Sequence, residues 1–320
     1  MLDIVTGRRD LAFAVTKRVY GAGTNYVPPL WSDFDRMLDP ARNPLVTRGH
    51  GRLEVFVALR DGQPVGRIVA CMHDASNVKH GTARGQFGFF DCVDDSEVAN
   101  ALLGATEAWV GARGATSLAG NFNLTAMQQI GVVTQGFERA PYTDMVWSPP
   151  HIARLLENAG YRATFPMTTF EMPIAELDAE KLIGPKQQAV LEDGDFTWAP
   201  ITRRDFRARL EESRLILNDG FALNPMFVPP TAEEYLFQAG DMMWVIDKRI
   251  STVVHHRGRP VGAIIAIPDL NPLVKAVGGR VTPGLPLRFL WHKLTNRRAV
   301  LVYQSVVREM HNNGVNGAML

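Results

Sequence analysis

A chain of 320 residues that is 46% hydrophobic and 21% charged has the make-up of a globular protein of about two domains, which excludes disorder and fibrous repeats. Its formal charge of +1 is too balanced for bulk attraction to nucleic acid or to a membrane surface. No apolar run approaches the roughly 18 residues that span a bilayer, no basic-then-apolar leader is legible, and Cys71 and Cys92 read as buried thiols of a reducing compartment, so the expected address is cytoplasmic.

Leu2 to Val5 predicts a short strand and Arg9 to Tyr20 a helix with Leu11, Val15 and Val19 on one face. Tyr26 to Leu45, broken by Pro28, Pro29, Pro40 and Pro44, reads as a loop and short helix lying over a core. Leu53 to Met72 reads as a β-hairpin, because two apolar runs flank Asp61-Gly62, a dipeptide that accepts the positive φ angles of a tight turn. There follow a strand from Gly85 to Val93, a helix from Ser96 to Val110 capped by Ser96, and a short strand from Ser117 to Gly120. A helix from His151 to Ala159 and a closing strand from Tyr161 to Met172 complete this half. Pro173 to Asp195, charged and without aromatics, reads as a linker.

Beyond it come a strand from Phe196 to Pro200, a helix capped by Thr202, and the sheet restarting at Trp244 to Asp247. Ser251 to Pro268 then repeats the hairpin, with Arg257-Gly258 at the turn and the same Pro-Val-Gly opening its second strand. NYVPPLW (25–31) precedes the first hairpin much as MFVPPTAEEY (226–235) precedes the second. The common offset of roughly 200 residues is the size of one domain, so the chain reads as a tandem duplication: 1–172, a linker 173–195, and 196–320. Pro268 to Gly284 reads as a long loop and Ala299 to Val306 as a strand.

This order of elements, with RLLENAGY (154–161) before the expected closing strand, resembles the Gcn5-related N-acetyltransferase (GNAT) superfamily. NYVPPLW, LDPARNPL, PVGRIVA, FGFFDCVDD and PDLN resemble a two-domain bacterial branch of acyltransferase-like proteins. The resemblance implies an α/β fold of two mixed sheets with helices on both faces, with acyl-CoA or acetyl-CoA as co-substrate. The family's pyrophosphate loop is written Arg or Gln, two residues, Gly, one residue, Gly or Ala. Here the matching positions are His311, Gly314 and Asn316, two of which depart from the pattern. The expected cofactor site is Val306, Val307, His311, Asn312, Asn313, Gly314, Val315, Asn316 and Gly317, with His311 or Arg308 facing a phosphate.

The first copy has Asp91, Asp94, Asp95 and Glu97 at the corresponding helix start, where carboxylates repel a pyrophosphate, so it is expected to lack the acyl-CoA loop. Its polar stretch after residue 119 offers Asn121 and Asn123 as substrate contacts, or as turn residues bonding their own backbone. His255 and His256 point to opposite faces of a strand and cannot chelate one metal, and no metal site is expected. No catalytic residue is assigned; Tyr303 carries the only usable proton on its strand and reads as core.

The expected activity is N-acyl transfer from an acyl thioester to a small-molecule amine. The alternatives are an aminoacyl-tRNA-dependent transferase of tandem fold, which the missing basic surface argues against, and a non-catalytic binding protein with eroded sites. About 100 residues follow the Pro-Val-Gly strand in the first copy and fewer than 60 in the second. The second copy is therefore expected to be truncated and inactive as a transferase, with Ala299 to Val306 as an apolar sheet edge.

Overall fold

Both hairpins form where the sequence places them, for the same local reason. Asp61 and Gly62 take φ of 51° and 76°, and Arg257 and Gly258 take the same two values, which matches the turn to the twist of its strands. Each turn is tied to the start of its own copy. The Met1 ammonium donates to Asp61 at 2.7 Å, and Arg257 Nε donates to Asp195 at 2.8 Å.

In the computed structural model, which describes residues 1–21 and 23–320, the chain runs β1 (Leu2–Thr6), α1 (Arg9–Tyr20), α2 (Trp31–Leu38), α3 (Pro44–Thr47), β2 (Gly51–Arg60), β3 (Gln63–His73), α4 (Asp74–His80), β4 (Arg84–Cys92), α5 (Ser96–Gly111), β5 (Ser117–Ala119) and α6 (Pro150–Asn158). It continues through α7 (Ala179–Leu182), α8 (Pro185–Glu192), β6 (Phe196–Pro200), α9 (Phe206–Gly220), α10 (Ala232–Ala239), β7 (Thr252–His256), β8 (Arg259–Pro268), α11 (Asn271–Ala276), α12 (Leu285–Thr295), β9 (Ala299–Val306) and α13 (Val315–Ala318). One sheet has the order β1-β2-β3-β4-β5, antiparallel except for the parallel β4–β5 pair; the other, β6-β7-β8-β9, is antiparallel throughout.

The first sheet buries both faces. Phe56, Ala58, Ile68 and Ala70 pack with Val98, Leu102 and Leu155 on one side, and Val55, Val57, Val69 and Cys71 with Ala12, Val15 and Phe34 on the other. The Pro-Val-Gly glycine marks where the helix after the sheet crosses it. A Cβ on Gly66 would lie 2.8 Å from Leu102 of α5, and one on Gly262 would lie 3.0 Å from Met319, just past α13. The two helices thus occupy equivalent places in the two copies.

The chain divides into two units, 1–166 with 270–295 and 167–269 with 296–320. It therefore passes between these units three times. The stretch 173–195, expected as a linker, is not a bare connector. It holds α8, whose Val190 is buried with Val254, Val261, Val306, Val315 and Met319.

Other expectations are corrected. Tyr161 to Met172 is not a strand: it joins neither sheet among the described residues, and Phe165 and Phe170 are exposed. Trp244 to Asp247 is not a strand either, because Gly240–Trp244 is a 3-10 turn and the second sheet starts at β6. Asp95, not Ser96, caps α5 by accepting from the Glu97 and Val98 N–H groups. Thr202 donates to Asp205, which precedes α9, so it does not cap the helix itself. The expected long loop from Pro268 to Gly284 contains α11.

Candidate functional site

Strand β9 pairs with β8 as far as Val306 opposite Gly262, and one further bond, Val307 N–H to Val261 O at 2.9 Å, fixes where it leaves the sheet. The chain then makes a 3-10 turn (Arg308–Met310), passes Asn312 at φ 64° and Gly314 at φ 90°, and enters α13. Gly314 has no substitute here. Besides its positive φ, a Cβ would lie 2.5 Å from the Lys186 carbonyl of α8. Gly220 lets the end of α9 approach β9 in the same way, since its Cβ would fall 2.2 Å from Ser305 Oγ. Together α8, α9, β9 and the loop enclose a cleft of about 680 Å³, lined by Lys186, Gln187, Gln304, His311, Asn312, Asn316 and Gly317 among others.

The expected cofactor residues fall into three groups. Val306, His311, Asn312, Gly314, Asn316 and Gly317 line the cleft. Val315 is fully buried, and Val307 packs beside it in the core beneath. Asn313 is exposed, its amide pointing to Met310 Sδ at 3.9 Å. Two side chains brace the loop: Lys186 Nζ donates to Asn312 O at 2.8 Å, and Gln304 Nε2 donates to Asn316 O at 2.5 Å. The N–H groups of the first turn of α13 have no acceptor within their own helix. The cleft thus offers amide groups and a lysine ammonium, and among the described residues no carboxylate lines it.

Arg308, expected as one possible phosphate contact, is committed elsewhere. Its backbone N–H and its Nε reach Asp219 at 2.6 and 3.1 Å. Burial acts to raise the Asp219 carboxyl, but these bonds outweigh it and hold the group below the usual carboxylate range. His311 has Nε2 3.0 Å from Val306 O, which turns that nitrogen back onto the loop. Tyr303 O–H is bonded to Tyr235 O–H at 2.8 Å, and burial pushes its pKa up to about 12.

In the first copy, side chains bond to the backbone of β4, the strand that corresponds to β9. Asn121 and Asn123, expected to touch substrate, are buried, and their amides are taken up internally. Asn123 Oδ1 accepts from Phe89 N–H at 2.7 Å, Asn121 Oδ1 accepts from Phe90 N–H at 3.4 Å, and Asn121 Nδ2 donates to Asn123. Phe89 sits at φ 50°, where β4 is irregular against β3, and this turns its N–H out of the ladder toward the asparagine. These bonds run to the backbone of β4 and not to the backbone of the asparagines' own turn.

The carboxylates around the start of α5 are each met by an arginine. Asp94 pairs with Arg154, Asp95 and Glu97 with Arg60, and Asp91 with Arg67 at 2.6 Å. The last pair is buried. Arg67 also donates to Ala12 O at 3.1 Å, Asp91 accepts from Tyr20 O–H, and the guanidinium lies over the Phe34 and Phe89 rings. This cluster escaped the sequence reading, although a signal was present: PVGRIVA carries a charge where its copy, PVGAIIA, carries Ala263.

His255 and His256 do face opposite ways. His255 Nε2 meets Arg209 and Glu212, whereas His256 packs on Phe196 with ring centres 4.6 Å apart. Asp193, Asp195 and His256 bring ligand atoms within 4.8 Å of one another at the surface, with Asp195 already bound by Arg257.

No family model matches the chain. Among curated proteins it is similar to Protein YghO of Escherichia coli (strain K12), 27% identical over 297 residues that cover 92% of this chain and 75% of that protein. It is also similar to a bacterial ceramide synthase of Caulobacter vibrioides (strain NA1000 / CB15N), 26% identical over 314 residues that cover 96% of this chain and 79% of that protein. Among solved structures it matches a tandem GNAT protein from the clavulanic acid biosynthesis pathway, determined without AcCoA. The TM-score is 0.51 at 14% identity, covering 100% of this chain and 83% of that one. The fold is therefore a GNAT-like tandem of two mixed α/β domains.

Proposed function

We propose that this chain, a GNAT-like tandem fold, is an N-acyltransferase that moves an acyl group from acyl-CoA to an amine, with the thioester held in the cleft between α8 and the loop after β9. The observation that carries this reading is that residues picked out from sequence as a pyrophosphate loop line a cleft of about 680 Å³, free of carboxylates and braced by Lys186. Such a lining favours an anionic head group, through a cation and through backbone N–H groups without partners in their own helix. Strand β9 is the last of its sheet, so its outer edge presents N–H groups that can polarise a thioester carbonyl. The amine nitrogen attacks that carbonyl carbon, the C–S bond breaks, and the amine proton ends on the departing sulfur.

The first copy supports the assignment by contrast. The N–H groups of Phe89 and Phe90 on β4, equivalent to those on β9, are already occupied by Asn123 and Asn121. On this reading the two asparagines plug a site that the second copy leaves open. One relative is named a ceramide synthase, and a ceramide is the amide of a fatty acyl group with a sphingoid amine. A long-chain amino alcohol is accordingly the acceptor class to assay first.

Calorimetric titration of the full chain with coenzyme A tests the location. Lys186→Glu places a negative charge in the cleft and Asn313→Asp one on the exposed part of the loop beside it; each should weaken binding, the first about tenfold and the second less. Asp95→Ala removes a cap of α5 in the other copy and should leave the affinity unchanged. Equal effects from all three, or no binding by the unsubstituted chain, would overturn the assignment.

A further inference from the structure

Among the described residues no helix is long and apolar enough to cross a membrane, yet α12 is built like one that lies on a membrane. Its Leu287, Leu290, Trp291 and Leu294 follow the spacing i, i+3, i+4, i+7 and so form a single stripe. Instead of facing a core, they are 75%, 57%, 70% and 75% exposed. The opposite face seats the helix: Leu285 and Phe289 are half-buried and His292 is buried. Arg288 and Lys293 fall about 110° to either side of the centre of the apolar stripe, given 3.6 residues per turn. Both are exposed.

The surrounding sequence has the same bias. From Leu270 to Thr295, the segment that lies in one unit with α12, there are four Lys or Arg residues and no Asp or Glu, although the chain as a whole is balanced at +1. An apolar stripe with a tryptophan in it and cations on both flanks matches the boundary of an anionic bilayer, where the stripe enters the acyl region and the cations meet head-group phosphates. A second copy of the chain fits less well. The flanking cations of two such faces would oppose each other, and a two-turn stripe is small against the roughly 800 Å² per partner of a stable dimer.

We propose that α12 is an in-plane membrane anchor that docks this protein on a bilayer surface containing anionic lipid. Attachment through this helix requires no acyl transfer. If the transferase reading also holds, the anchor brings the enzyme to the phase in which long-chain amines and acyl groups reside.

Sedimentation of the full chain with vesicles tests the anchor, using phosphatidylcholine alone and equal parts phosphatidylcholine and phosphatidylglycerol. The chain should sediment with the anionic vesicles and be released by added salt. The double variant Leu290→Glu/Leu294→Glu should lower partitioning by roughly tenfold or more, and Arg288→Gln or Lys293→Gln by about fivefold each. Trp291 should supply a blue shift of tryptophan emission on vesicle addition that Trp291→Phe removes. Because the replaced side chains are exposed, all variants should melt with the unsubstituted chain and keep its coenzyme A affinity. The proposal is overturned if the chain partitions to neither vesicle, or if the double variant still partitions. It also fails if the double variant only abolishes self-association, which would assign the stripe to a second copy.

Discussion

The pair Arg67 and Asp91 shows how much one position can differ between two copies of a fold. Register places Arg67 opposite Asp91 on β3 and β4, and the equivalent positions on β8 and β9, Ala263 opposite Ser305, carry no charge. The sheet therefore does not need the ion pair to form. The first copy nevertheless encloses both charges, since Arg67 and Asp91 are both buried. Removing one partner leaves the other buried and uncompensated, which typically costs about 3–5 kcal/mol. Arg67→Ala or Asp91→Ala should each destabilise the first unit by that order, whereas Arg67→Ala/Asp91→Ser, which copies the second unit, should cost less than either single change. Denaturant titration followed by hydrogen exchange in β3 measures this. A single substitution costing under about 1 kcal/mol would show that the charges are not isolated from solvent.

At the scale of elements, the legible features were those set by neighbours in sequence. Asp61-Gly62 and Arg257-Gly258 fixed two hairpins because a two-residue turn is decided by its own φ angles. Tyr161 to Met172 misled because its apolar residues alternate as a strand's do, while a strand also needs a partner edge, which no local pattern specifies. Helix α8 was hidden for the opposite reason: its contribution to the core rests on Val190 and is settled by what lies opposite. The apolar spacing in α12 marks a helix, but spacing cannot say whether the stripe faces inward or outward. Pairings between distant elements were likewise beyond reach, and the link between α10 and β9 through Tyr235 and Tyr303 is one that can be tested. Burial raises the Tyr303 hydroxyl from 10.0 to about 12, so between these values the unfolded chain gives up a proton that the native chain keeps. Stability is therefore intact below pH 10 and falls as pH rises toward 12. Alkaline denaturation curves should show this loss, and Tyr303→Phe should flatten them over the same window; an unchanged slope would mean that this hydroxyl does not titrate with unfolding.

At the scale of the molecule, the second half of the chain supplies part of the first unit. Residues 270–295 lie in that unit, and the bonds that hold them are specific. Trp31 N–H donates to Gly279 O at 2.8 Å, Lys275 Nζ to Thr24 O at 2.6 Å, Asn271 Nδ2 to Pro141 O at 2.9 Å, and Leu270 N–H to Thr143 Oγ1 at 2.6 Å. Gly279 is a point of close approach in this attachment. It has φ +72°, and a Cβ there would stand 2.5 Å from the Pro29 carbonyl, so both the backbone conformation and the space require glycine. A methyl group cannot be accommodated by a side-chain rotation, because the atom it meets is backbone. Gly279→Ala should therefore destabilise by more than the roughly 1 kcal/mol of an ordinary strained substitution, and the loss should appear in the first unit although the substitution lies in the second copy's sequence. Hydrogen exchange resolved by residue gives the readout: the Trp31 amide and α2 should lose protection while β7 and β8 keep theirs. If the loss were confined to β6–β9, residues 270–295 would not be an integral part of the first unit, and a linear two-domain division of the chain would be the better description.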